Sequence, residues 1–345
     1  MPFTAAQLEN AANAAIDYHF RRGKITSQTI QDKPLLQAFM AKEKSFPGGL
    51  EFITVRVKGV YTTTVMGFVH DDAVTYSDPQ NIKTAKFPYK LIHSGIQFSM
   101  HELIKNGISV TDTDDGSTTA THSEEVRLAN LLEDKLEDMQ EGTDRGMNTM
   151  FWDDGLPDTK LVPGVQSFIV DNPAAAATVG GIDQVANTWW RNRANLGVAS
   201  ADPTLQALVG MLQKEFRQLR RYGGNPNLLL AGSDFMDFFE RELRSKGNYT
   251  MEGWSGKGTI DASIADIAFK GKPIQYDPTL DDQGRSKYLY VMDTKHIYPM
   301  AVEGESMRNH SPSRPVDKYV FYRAKTWVGG LVTDQRNCHG VYSIA

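Results

Sequence analysis

An α+β fold of about two domains is predicted for this 345-residue chain. Three observations predict it: a very long acidic helix near the middle, a β-patterned excursion before it, and alternating helices and strands after it. The helix runs from Ser123 to about Met150. Ser123 suits the N-cap, and Glu124 and Glu125 fill the first turn, where carboxylates favour the dipole. Leu128, Leu131, Leu132, Leu136, Met139, Met147 and Met150 then recur at helical spacing. At 1.5 Å per residue this is a rod on the order of 40 Å, more than twice the usual length of about 11–12 residues. A flat subunit that tiles against copies of itself needs such a rod more than a compact enzyme does.

Residues 4 to 22 read as a helix capped by Thr4, with Leu8, Ala11, Ala12, Ala15, Ile16 and Phe20 on one side. Arg21, Arg22 and Lys24 follow, then polar residues to Asp32. This is an N-terminal arm or the plain first helix of a domain. From Phe46 to Ile96 the pattern is β. Leu50, Phe52, Ile53, Val55 and Val57 lead to Gly59, and Val60 to Val65 continue with good strand formers. A polar tip from Asp71 to Asn81 follows, and the return leg from Lys83 to Ile92 carries Lys83, Lys86 and Lys90. Two strands alone are marginal in water, so another surface must cover this excursion, unless it is one edge of a larger antiparallel sheet.

Thr111 to Thr121 is a loop by composition. On the long helix, Gly142 and Gly146 fall on the apolar face by the 100° rule. Each costs roughly 1 kcal/mol there, which points to close approach of another backbone or to a frayed or kinked end. Residues 156 to 188 read as loops and short strands. A helix from Pro203 to Arg221 is capped by Asp202 and stopped by Gly223 and Gly224. A strand from Asn227 to Ala231 leads into a helix from Ser233 to Lys246. Strands follow at Ile264–Phe269, Pro273–Tyr276, Lys287–Met292, Ile297–Met300 and Tyr319–Val332.

The net charge of −5 gives no general affinity for nucleic acid. The single cysteine, Cys338, permits no intrachain disulfide. The N-terminus shows no signal-peptide pattern, and no apolar run is long enough to span a membrane. Catalytic patterns fail. Gly253 to Thr259 has the wrong spacing for a phosphate loop, and Lys257 stands where G-x-S-x-G needs its last glycine. The eight histidines lack metal-ligand spacing. Asp277, Asp281 and Asp282 read as a solvated acidic turn, and Glu133, Asp134, Glu137, Asp138 and Glu141 as a solvated helix face. Arg217, Arg220 and Arg221 crowd a helix C-terminus, where the dipole favours them. No enzyme activity, cofactor or metal is expected.

The order of parts is informative: arm, long β excursion, long acidic helix, α/β region, final strands. It resembles the major capsid protein fold of tailed bacteriophages, the Hong Kong phage type, which encapsulin shells share. Phe87 to Gly107 is similar to the return leg of that family's extended loop entering its peripheral domain. Phe269 to Pro278 and Lys287 to Tyr298 resemble the sheet of its axial domain. Thr326 to Arg336 and Gly340 resemble its closing strands.

The resemblance implies an arm over 1–45 and an extended loop over 46–92. It implies a peripheral domain over 93–179 with its spine helix at 123–150, an axial domain over 180–315, and closing strands over 316–345 that return to the peripheral domain. It implies a virion subunit, assembled in the bacterial cytoplasm into hexamers and pentamers of an icosahedral head around double-stranded DNA. Portal and decoration proteins are implied as partners, and scaffolding comes from a separate protein or from none. The alternatives are an encapsulin-like shell around an enzyme cargo and a soluble α/β enzyme. No crosslinking residue can be matched. Within the capsid reading, the basic leg (Lys83, Lys86, Lys90) is expected to meet the acidic helix (Glu133, Glu137, Glu141) across subunits. Gly142 and Gly146 would admit the loop backbone.

Overall fold

The computed structural model describes residues 3–4, 31–76, 78, 81–99, 101, 105, 110–111, 122–156, 158–198, 207–245, 268–310 and 320–345. Along the chain, β1 (Phe3–Thr4) precedes α1 (Pro34–Met40) and β2 (Lys44–Phe46). β3 (Phe52–Lys58) and β4 (Ile82–Pro88) are the legs of a ribbon, and β5 (Lys90–Ser99) continues from the second leg. After β6 (Val110–Thr111) comes α2 (His122–Trp152), of 31 residues and roughly 46 Å. Then follow α3 (Val165–Phe168), β7 (Thr178–Val179), β8 (Ile182–Asp183) and β9 (Arg193–Val198). Next come α4 (Ala207–Arg220), β10 (Leu228–Ala231), α5 (Ser233–Ser245), β11 (Ala268–Phe269), β12 (Lys272–Tyr276) and α6 (Pro278–Asp282). β13 (Tyr288–Met292), β14 (Ile297–Val302), β15 (Arg308–His310), β16 (Val320–Thr333) and β17 (Gly340–Ile344) end the series. The fold is α+β, as the sequence predicts.

The chain divides into two compact units. One comprises Met1–Gln31, Leu91–Met147 and Gly304–Val328; the other comprises Asp32–Lys90, Asn148–Glu303 and Gly329–Ala345. The second holds a six-stranded sheet in the order β11-β12-β10-β13-β17-β9. β10 runs parallel to β12, with Leu229 opposite Ile274, and antiparallel to β13, with Leu229 opposite Val291. All four residues of β10 are buried, as expected for a central strand covered on both faces. α4 lays Leu208, Leu212, Phe216 and Leu219 on this sheet at helical spacing. α5 adds Phe235 and Phe239, and the sheet answers with Leu229, Ile274, Leu289, Val291 and Tyr342. Each such side chain contributes about 1.5–3 kcal/mol on burial.

The last turn of α2 lies in this second unit and is anchored by polar bonds inside its core. Trp152 Nε1 donates to Asp277 Oδ2 at 2.8 Å. Asn148 Nδ2 donates to Thr279 Oγ1 at 2.7 Å, and Asn148 Oδ1 accepts from the Leu36 amide at 3.1 Å. Phe151 meets Phe39 edge-on, and Trp152 packs on Tyr290. Asp277 caps α6 and is fully buried, so the solvated turn expected from sequence is corrected. Its indole donor lies 125 residues away, out of reach of local pattern. Desolvation dominates and raises the Asp277 pKa, opposed by these hydrogen bonds.

In the first unit β16 pairs with β15, Arg308 opposite Thr326, and also with β5. Here α2 buries Leu136, Met139, Thr143 and Met147. Thr143 bonds Ser94 at 2.6 Å, and Lys325 Nζ donates to Gln140 Oε1 at 2.8 Å.

Several expectations change. Thr4 is not a helix cap: Phe3–Thr4 pairs in parallel with Val110–Thr111, and the rest of the expected 4–22 helix lies outside the described residues. The described part of the Thr111–Thr121 loop is Thr111 alone, within β6. Val60 to Val65 form no strand: among the described residues no backbone pairs with them. β17 lies between β13 and β9 in the sheet predicted to be axial, with Tyr290 opposite Val341 and Arg193 opposite Gly340. The Asp202–Gln206 start of the expected helix and the Gly253–Thr259 loop lie outside the described residues.

Candidate assembly interface

The ribbon of β3 and β4 is a regular antiparallel pair from Phe52 opposite Pro88 to Lys58 opposite Ile82. Side chains alternate across a strand, so each face has its own chemistry. Ile53, Val57, Ala85 and Phe87 are buried on one face. Phe87 meets Phe168 edge-on at 5.4 Å. Gly180, at φ +60, closes on Phe87 and Ala85 where a Cβ would sit about 3 Å from the ring, and its carbonyl accepts from the Lys86 amide at 2.9 Å.

Parity separates the expected basic set. Lys83 shares the side of Ala85 and Phe87, at the exposed end of the ribbon, whereas Lys86 projects from the opposite, solvent face. Lys90 is half-buried at the start of β5. The solvent face also carries Arg56 and Lys58, opposite Thr84 and Ile82. Period-two alternation anchored on Ile53 and Val57 places both with Lys86.

Beyond Gly59 the described residues of the excursion form no sheet ladder; a backbone turn, the Asp72 amide to the Val69 carbonyl at 2.9 Å, and side-chain braces hold them. Asn81 Nδ2 donates to the Val60 carbonyl at 2.7 Å, and Asp72 Oδ2 accepts from the Val69 amide at 2.8 Å. Between these braces stand Tyr61 at 80 % exposure, Val65 at 102 %, Phe68, Val69 and Tyr76 at 93 %. Gly59 is the pivot: a Cβ there would lie 1.8 Å from the Trp189 indole. The excursion is thus a docked ribbon followed by an apolar tip exposed in the single chain.

On α2 the buried stripe is Leu136, Met139, Thr143, Met147 and Met150. Gly142 and Gly146 lie beside this stripe, exposed, with no atom within 4 Å of a built Cβ, so their assignment to the apolar face is corrected. The flank of a 100° stripe cannot be separated from its edge by spacing alone. Glu141 is within 3.5 Å of Arg145, and Glu137 has a buried Oε1 with no hydrogen-bond partner. The side chains of Glu133, Leu128, Leu131 and Leu132 lie outside those described. The lysines belong to one compact unit, and Glu133, Glu137, Glu141, Gly142 and Gly146 to the other.

Among the described residues, no group of three or more His, Cys, Asp or Glu could hold a metal ion, and no helix is long and apolar enough to cross a membrane. Cys338 and His339 are buried. Burial raises the Cys338 pKa and lowers that of His339 to about 3, and His339 Nδ1 accepts from the Asp293 amide.

No protein-family model and no curated protein matches the sequence. Solved structures do match its backbone. The capsid asymmetric unit of cyanophage A-1(L) superposes with a TM-score of 0.65 at 14 % identity, covering 93 % of this chain and 94 % of that one. The capsid of cyanophage P-SCSP1u gives 0.54 at 8 % identity, covering 94 % and 91 %. The capsid of Myoviridae phage XM1 gives 0.50 at 9 % identity, covering 93 % and 95 %. Nearly the whole chain follows a backbone path shared with these subunits despite the low identity: it has the capsid-protein fold of tailed phages.

Proposed function

We propose that this chain is a structural subunit that self-assembles into hexamers and pentamers of an icosahedral phage head around double-stranded DNA. The observation that carries this reading is the tip of residues 59–81. It exposes Tyr61, Val65, Phe68, Val69 and Tyr76 together, on a fold shared with phage capsids. Contiguous apolar exposure of this kind marks an interaction surface. Many weak contacts between copies add up in a closed shell.

Residues 46–92 serve as the extended loop and 123–150 as the spine. Lys83, Lys86 and Lys90, joined by Arg56 and Lys58, meet Glu133, Glu137 and Glu141 of a neighbouring copy. Charge steers that encounter, while apolar burial at about 25 cal/mol per Å² holds it. Gly142 and Gly146 leave room for the arriving backbone. The role is structural rather than catalytic. The subunit resides in the virion after assembly in the bacterial cytoplasm, where scaffolding, portal and decoration proteins are its other partners.

Negative-stain microscopy with sedimentation of the purified chain tests this reading. Closed shells, or rings of five and six, are expected, and their contents separate a genome container from a cargo container. A discrete monomer or dimer at every salt concentration, with and without scaffold, would overturn it.

A further inference from the structure

The chain carries a net charge of −5, yet one helix of the second unit presents a row of exposed cations. α4 buries its apolar stripe against the sheet and turns Lys214, Arg217 and Arg220 outward on a single i, i+3 row. Arg221 follows the helix directly. The acid of α4, Glu215, is buried and held by Arg193 in two bonds of 2.9 Å, so it contributes nothing to that face. Among the described residues, none of the four cations is paired with a carboxylate.

A helix C-terminus attracts cations by its dipole alone, but that does not account for Lys270. It comes from the β11–β12 hairpin, and its ammonium lies 5.5 Å from the Phe216 ring, while the Arg220 guanidinium lies 5.8 Å from the same ring. Lys270 is also at φ +50, followed by Gly271 at +73, in a two-residue turn between Phe269 and Lys272. Asn, Asp or Gly suit the first position of such a turn better than lysine does. Two elements therefore bring uncompensated cations to one place, one of them against local backbone preference.

We propose that this face of α4, with Lys270, is a sequence-independent contact for the phosphate backbone of double-stranded DNA. An evenly spaced cation row with no buried anchor suits a polyphosphate better than a protein hot spot, which needs a desolvated pocket. Tyr222, exposed beside the Arg221 guanidinium at 5.4 Å, and the amide of Gln213 add further contacts to the duplex backbone. The proposal deepens the shell reading by naming the surface that meets the packaged duplex. It rests on that reading only for the source of the DNA.

The test combines Lys214→Gln, Arg217→Gln, Arg220→Gln and Lys270→Asn in the full chain. Binding to a labelled duplex of about 24 base pairs is followed by anisotropy from about 50 to 200 mM salt, with electron microscopy of the same preparations. The slope of log affinity against log salt should fall by about 3.6 for the four lost phosphate contacts, with shells still forming. A chain that never assembles but shows this loss supports the patch and refutes only the shell. Three results would overturn the proposal: an unchanged slope, equal competition by polyglutamate, or lost shells with wild-type duplex binding. If the quadruple variant misfolds, Lys270→Asn alone relieves the turn and should still lower the slope by about 0.9.

Discussion

Gly59→Ala isolates the pivot of the extended loop. The new methyl would stand 1.8 Å from the Trp189 ring, and ordinary contact begins at 3.4 Å, so about 1.6 Å of displacement is required. Overpacking of this kind costs about 1–3 kcal/mol. The ribbon cannot easily slide, because Phe87, Ala85 and the Lys86 amide are fixed against Phe168 and Gly180. A shift of 1.6 Å in one leg, with the other about 4.8 Å away, tilts the excursion by roughly 20°. Residues 59 to 70 reach at most about 36 Å, so the tip moves by up to about 12 Å. Tyr61, Val65 and Phe68 would then miss their target, while the melting temperature of the unassembled chain changes by only a few degrees. Sedimentation should show subunits where the wild type gives shells. Trp189→Ala in the same chain removes the obstacle and should restore assembly, a coupling that a double-mutant cycle reads directly. Normal shells from Gly59→Ala alone, or no rescue in the double variant, would refute the reasoning.

Three further outcomes follow from the core. His339 is held neutral, with its pKa lowered to about 3 from 6.5, so the folded state takes up that proton less readily than the unfolded one. Its contribution is fully present above pH 6.5 and is lost as pH falls toward about 3. Denaturant titrations across that range should therefore show a decline that His339→Asn flattens. Arg336 is buried, with its guanidinium bonded to the carbonyls of Phe168 and Trp190 and the side chain of Asn192, and no carboxylate lies among these partners. Arg336→Met orphans two buried carbonyls and should destabilise by about 2–6 kcal/mol, measured by urea unfolding. Trp152→Phe keeps an aromatic ring but removes the indole donor to buried Asp277, for a loss of at least about 1–3 kcal/mol in the same assay.

The parts legible in sequence are those set by local spacing. The long acidic helix is expected to reach Met150 and ends at Trp152; the helix after β10 is expected from Ser233 and starts there. Caps and apolar period decide these two boundaries, and both act within a turn of the chain. Strand partners were not legible. β9 meets β17 across more than 140 residues, and no local pattern encodes that pairing. The Val60–Val65 run has strand propensity but no ladder partner among the described residues, and propensity without a partner does not make a strand. The two faces of the ribbon are half legible: charge along one leg picks out Lys83, Lys86 and Lys90, while parity puts Arg56 and Lys58 with Lys86 and puts Lys83 on the other face. Asp277 was misread because its environment is supplied by Trp152, far upstream.

β17 is hydrogen-bonded on both sides, to β13 and to β9, and the Ala345 amide reaches back to the Val198 carbonyl. The sheet therefore cannot close until residue 344 has been translated. A ribosome that stalls earlier releases a chain with β9 unpaired and β13 exposed along one side, a template for misassociation rather than a building block. Order of synthesis thus acts as an inspection step: only a chain translated through β17 has this sheet closed between β13 and β9.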